Sequence, residues 1–269
     1  MNEPSEPSEP SGASSTAAIL DIDGLVVRYG ARTAVDGVTL RIDRGEIFGL
    51  LGPNGAGKTS TLSAIEGLVK PSSGTVLVDG VDIQRDPLAA KARLGVQLQA
   101  SSFQAELTID QIVRLYAGLY GLPIGPAEIA DRIRGIGLGD ELGKRFKSLS
   151  GGQQQRLSLL IAVIHQPVLL LLDEPTSGLD PQSRRQLWDR IERLRTDGGS
   201  ILLTTHSMEE AQAVCDRVAI IDHGTLVTLD TPAGLIARHR DDPRVTRVAR
   251  GEVTLEDVFI GLTGSEIRD

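Results

Sequence analysis

Apolar residues fall along this chain in short runs separated by glycines and acidic turns, and the pattern changes character twice. Residues 25–27, 38–42 and 75–78 are brief apolar stretches bounded by Gly and Asp, which predict antiparallel strands. Ile47-Phe48-Gly49-Leu50-Leu51 predicts a strand that runs into a glycine-rich turn and then a helix over residues 60–65. Another core strand is expected over 94–98. From Thr108 the spacing becomes helical, with Ile109, Ile112, Val113, Tyr116 and Leu119 on one face. A second helix is predicted over 127–136, its end marked by Gly135, Gly137 and Gly139. Residues 100 to about 150 therefore read as a helical insert in an α/β core. Beyond the insert, 154–164 predicts a helix and 168–172 a strand buried on both faces. Strands over 200–205 and 217–221 follow, with helices between, and that alternation favours a parallel sheet. The last forty residues carry a weaker pattern, in which 254–259 begins a short helix with Thr254 as its cap.

The turn after the first core strand is Gly52-Pro53-Asn54-Gly55-Ala56-Gly57-Lys58-Thr59, followed by Ser60. Strand, glycine-rich turn and helix in that order are what a phosphate-binding loop requires. Glycines let consecutive N–H groups converge on phosphate oxygens, and the following helix aims its positive end at the same point. Lys58 is suited to neutralise β/γ-phosphate charge, and Thr59 to offer its hydroxyl to Mg²⁺. The strand at 168–172 ends in Asp173-Glu174, two carboxylates at the end of a sheet where α/β proteins hold ligands. Asp173 is placed to hold Mg²⁺, and Glu174 to orient and deprotonate an attacking water. Leu149-Ser150-Gly151-Gly152-Gln153 opens a helix, with Ser150 as cap or anion contact.

Composition narrows the partners. A net charge of −8 and a pI near 5.1 argue against nucleic acid. The single cysteine, Cys215, permits no disulfide within the chain. No apolar stretch approaches the length that crosses a bilayer. Glu-Pro-Ser occurs three times between Glu3 and Ser11, so residues 1–17 are expected to be a disordered tail.

Taken together and in order, these motifs resemble the ATP-binding subunit of an ATP-binding cassette (ABC) transporter, over residues 20 to 230. The resemblance implies a P-loop (RecA-like) ATPase core of class α/β, with an antiparallel β subdomain and an inserted helical subdomain bearing the signature. The core is expected over 18–99 and 160–230, the helical subdomain over 100–159, and a C-terminal extension over 231–269. By the same resemblance Tyr29 stacks on adenine, Gln99 forms the Q-loop and touches the metal, and Ser150-Gly151-Gly152-Gln153 is the signature. Ser177-Gly178-Leu179-Asp180 is the D-loop, and His206 the switch that contacts the γ-phosphate. Gln99 competes with Gln97 and Gln104, and its place just past the 94–98 strand favours it. Read alone, Tyr29 equally suits strand packing, His206 a strand-end cap, and Asp180 before Pro181 a helix N-cap.

The resemblance further implies ATP and Mg²⁺ as ligands and a homodimer or heterodimer with a second cassette. It also implies a separate transmembrane permease that holds the protein at the inner face of the cell membrane. The segment 106–121 and Leu255-Glu256-Asp257-Val258-Phe259 resemble the daunorubicin-resistance type of exporter ATPase, so export is expected. Import, or non-transport work on ribosomes or repair complexes, is the alternative; a single cassette without a coiled-coil insertion counts against the latter.

Overall fold

The computed structural model describes residues 18–97 and 103–264; the expected tail at 1–17 and Gln99 lie outside the described residues. In chain order the first elements are β1 (Ala18–Tyr29), β2 (Arg32–Asp43), β3 (Ile47–Leu51), α1 (Lys58–Ile65), β4 (Ser73–Val78) and β5 (Val81–Asp82). Next come α2 (Pro87–Lys91), β6 (Leu94–Gln97), α3 (Ile109–Leu119), α4 (Pro126–Gly135), α5 (Gly151–Val163) and β7 (Leu169–Asp173). Then follow α6 (Pro181–Thr196), β8 (Ser200–Thr204), α7 (Met208–Val214), β9 (Arg217–Asp222) and β10 (Thr225–Asp230). The chain ends in α8 (Pro232–His239), α9 (Pro243–Thr246) and α10 (Leu255–Thr263).

Two sheets form. The larger has the order β10-β9-β3-β8-β7-β6, parallel except for the β9–β10 hairpin. The smaller is antiparallel, in the order β2-β1-β4-β5. Alternation along β7 explains how the large sheet is covered. Leu169 and Leu171 join Phe48, Leu50 and α1 in a core shared with the small sheet. Leu170 and Leu172 face the other way, toward Leu159, Leu187, Ile191 and the C-terminal helices. A third core lies among α3, α4 and α5, with Ile109, Ile112, Val113, Ile129, Ile133 and Leu157 fully or almost fully buried. Helix α5 serves two of these cores, since Leu160 and Ile161 pack into the third and Leu159 and Ala162 into the second.

Several elements differ from the pattern-based expectation for identifiable reasons. β1 spans twelve residues where three were expected, because polar Asp21 and Asp23 and a register break around Gly24 (φ 58°) interrupt the alternation. α5 begins at Gly151, not at 154. A capping box, in which the Ser150 N–H donates to Gln153 Oε1 (2.8 Å) and the Gln153 N–H to Ser150 Oγ (3.3 Å), starts the helix through two glycines. β10 closes the core unannounced by any expected strand, and the weakly patterned residues after it build three helices, from which Leu235, Val245, Leu255, Val258 and Phe259 fill the second core.

Candidate nucleotide site

The 52–59 loop leaves the fully buried strand β3 and feeds α1. Two of its glycines are steric necessities. A Cβ on Gly52 would lie 2.4 Å from the Ile221 carbonyl oxygen, and Gly57 has φ 108° with the Ala34 carbonyl 2.5 Å from its Cβ position. The loop is fastened from outside: the Gly224 N–H donates to Ala56 O (2.9 Å), and the Asp36 N–H to Gly224 O (2.8 Å). No acidic residue occupies the first turn of α1, so the positive end of that helix is not neutralised locally.

Lys58 is 8% exposed, and its ammonium donates to the carbonyls of Gly52 (2.5 Å) and Pro53 (3.2 Å). Burial pulls its pKa below the usual lysine value, with Glu174 and Asp173 opposing that shift. Around it opens a cavity of about 550 Å³. Tyr29, Arg32 and Ala34, residues 54–60, and the two carboxylates Asp173 and Glu174 line it. Tyr29 is half-exposed at the end of β1.

The two carboxylates are placed by β7 and its neighbour β8. Thr204 Oγ1 donates to Asp173 Oδ1 (2.5 Å). The Glu174 N–H donates to Thr204 O (3.2 Å) and lies 3.0 Å from Thr204 Oγ1. Glu174 has φ 46°, a left-handed backbone that costs a non-glycine residue about 1–2 kcal/mol and that these contacts hold. His206, just past β8, brings Nδ1 to 3.5 Å from Glu174 Oε2.

Other predicted residues are placed away from this cavity. Ser150 and Gly151 are exposed at the start of α5, and neither they nor Gly152 and Gln153 line the cavity of their own chain. Asp180 caps α6 by accepting from the N–H groups of Gln182 and Ser183 (both 3.0 Å) and from Ser183 Oγ (2.6 Å). The Ser183 contacts hold its carboxyl below the usual range. A Cβ on Gly152 would meet Ser183 Oγ at 2.9 Å, so the starts of α5 and α6 abut. Of the competing glutamines, Gln104 is exposed. Gln97 ends β6 with its side chain buried, donating to Gln155 O (3.3 Å).

Three residues not singled out by the sequence belong to the neighbourhood. Arg32 was legible in principle, as a charge three residues past Tyr29. Glu210 and Glu66 were not, because burial of a helix-borne glutamate depends on distant elements. Glu66 caps the end of α1 and is 6% exposed; burial and the Asp173 charge push its pKa up to about 7, against the pull of Lys91. A carboxyl raised above its unfolded value of 4.5 favours the fold most below that pH, and the contribution is lost as pH rises through about 7. Glu66→Gln should therefore gain up to ~3 kcal/mol on the parent at pH 8 and little at pH 4.5. Urea unfolding at the two pH values checks this, and equal differences at both would remove Glu66 as the cause.

A glycine-rich loop on a central parallel strand, with paired carboxylates two strands away, defines a P-loop nucleoside triphosphatase. The family model described as ABC transporter matches residues 35–177, and the chain belongs to that family. It is 38% identical over 229 residues to Nod factor export ATP-binding protein I of Ralstonia nicotianae, covering 84% of this chain and 70% of that protein. It is 38% identical over 218 residues to the daunorubicin/doxorubicin resistance ATP-binding protein of Streptomyces peucetius, covering 80% of this chain and 66% of that one. A solved ATP-binding subunit of an ABC transporter superposes with a TM-score of 0.80 at 28% identity, over 91% of this chain and 99% of that one. The protein is thus an ATP-binding cassette, a transport-coupled ATPase. Among the described residues no helix is long and apolar enough to cross a membrane.

Proposed function

We propose that this chain is the ATP-hydrolysing subunit of an exporter, closing as a dimer around ATP to drive a separate membrane permease. One observation carries the dimer: Ser150 and Gly151 stand exposed at the start of α5, outside the cavity that contains Lys58. The capping box engages the Ser150 and Gln153 N–H groups, so the Gly151 and Gly152 N–H groups at the same helix start are the ones that suit a γ-phosphate held by a second cassette. Two such chains, identical or similar, complete two sites by symmetry. The export direction is supported by relatives named for Nod factor export and drug resistance.

In this reading Tyr29 stacks on adenine, and the loop from Gly52 to Ser60 cradles the phosphates with Lys58. Thr59 and Asp173 offer oxygen donors only, which fits Mg²⁺, a hard cation that neutralises phosphate charge when bound; Gln99 is a further contact to it. Glu174 takes the proton of the attacking water, His206 contacts the γ-phosphate, and Ser150, Gly151, Gly152 and Gln153 of the opposite cassette close over it. Asp180 lies at the dimer seam. Closure follows because ATP binds the paired form better than the open one, and cleavage of the γ-phosphate ends that difference.

The permease docks on the surface around α3, where Leu115, Leu119 and Tyr120 are exposed, and holds the protein at the inner face of the cell membrane. Affinity purification from detergent-solubilised cells tests this. A polytopic membrane protein should accompany the chain; co-sedimentation with ribosomes and no membrane partner would overturn the proposal.

A further inference from the structure

One buried carboxylate joins the pieces that flank the hydrolytic pair. Glu210, in α7, is 7% exposed, and four groups meet it. Thr176 Oγ1 donates to Oε2 at 2.7 Å, Thr205 Oγ1 lies 3.4 Å from the same oxygen, and Arg184 Nε is 3.2 Å from Oε1. The Glu210 N–H donates to Ser207 Oγ (3.2 Å), and the Ser207 N–H returns to Thr205 Oγ1 (3.0 Å). A carboxylate this far from water is retained only where its partners offset the loss of hydration.

The identity of those partners matters more than their number. Thr176 lies two residues past Glu174 and immediately before the 177–180 segment; Arg184 lies four residues after that segment ends. Both ends of the D-loop are thus clasped by the same side chain. Thr205 immediately precedes His206, whose ring faces Glu174 at 3.5 Å. One carboxylate therefore links the 177–180 segment directly to the residue before His206.

We propose that Glu210 is a positioning residue that holds His206 against Glu174 and ties that pairing to the 177–180 segment. The inference rests on reading Glu174 and His206 as the hydrolytic pair. Glutamine at 210 keeps an acceptor oxygen but loses the charge that holds Arg184, so the three anchors no longer share one fixed point. A reacting group displaced by about 1 Å loses up to ~100-fold in rate.

The test is a double-mutant cycle on the full chain, with magnesium-ATP hydrolysis followed in steady state and in single turnover. Glu210→Gln should lower kcat roughly 10- to 100-fold and leave the KM for ATP within about twofold, because the nucleotide-binding loop is untouched. In a His206→Ala background the same change should add almost nothing, since its effect runs through the residue already removed. Thr176→Val, which keeps the shape and removes one anchor, should show a smaller loss with the same dependence on His206; it carries the test if the Glu210 variant folds poorly. Equal losses with and without His206, or unchanged kcat, overturn the positioning role. If His206→Ala itself turns over at the parental rate, the assignment of the hydrolytic pair fails first and the inference falls with it.

Discussion

Glu174→Gln should bind ATP with nearly parental affinity and hydrolyse it roughly 10²- to 10⁴-fold more slowly, the range that general-base groups contribute. The substitution is close to isosteric, so the strained φ of 46° and the contacts of the Glu174 N–H with Thr204 persist. What disappears is the ability to accept a proton from water. Glu174 lines the cavity with residues 54–60, but a carboxylate is an acceptor only, so the phosphates lose no donor. A cassette that binds without cleaving should accumulate as a closed pair, visible as an ATP-dependent doubling of mass in light scattering. Phosphate release near the parental rate would refute Glu174 as the base.

Lys58→Ala should act on binding instead, raising the Kd for ATP by roughly 10- to 100-fold, which corresponds to the 1.5–3 kcal/mol typical of a charged hydrogen bond. Its ammonium is already withdrawn from water and aimed at the loop, so little reorganisation is needed to meet a phosphate. Removing it leaves the highest charge density of the nucleotide facing neutral amides and, beyond them, the carboxylates of Asp173 and Glu174. Adenosine, which carries no phosphate, should bind either protein equally. Calorimetry with ATP and adenosine separates the two contributions; unchanged ATP affinity in the variant would exclude Lys58 as a phosphate ligand.

Much of the core was legible because its signals are local. The leucine run before Asp173 reads as a doubly buried strand, and β7 takes up that run one residue later. Ser150 and Asp180 read as helix caps from their neighbours alone, and both cap helices. What escaped depends on distant partners. α8 is short, and its apolar face acquires meaning only against the second core, whereas α10 starts after the Thr254 cap that its sequence announces. Glu210 sits among polar neighbours in a seven-residue helix, and nothing local announces that Thr176, Thr205 and Arg184 will close around it. The choice among Gln97, Gln99 and Gln104 rested on a strand expected to end at 98. β6 is described through Gln97, and residues 98–102, Gln99 among them, lie outside the described residues.

The strand order has a consequence for biogenesis. β8, at residues 200–204, separates β3 from β7, so a nascent polypeptide carries its glycine-rich turn well before it can join that turn to Asp173. Until the later strand is synthesised, β3 and β7 leave backbone N–H and C=O groups unpaired beside uncovered apolar faces, the kind of surface that chaperones shield during translation. A polypeptide stopped ahead of β8 would therefore carry the glycine-rich turn without the strand that joins it to Asp173.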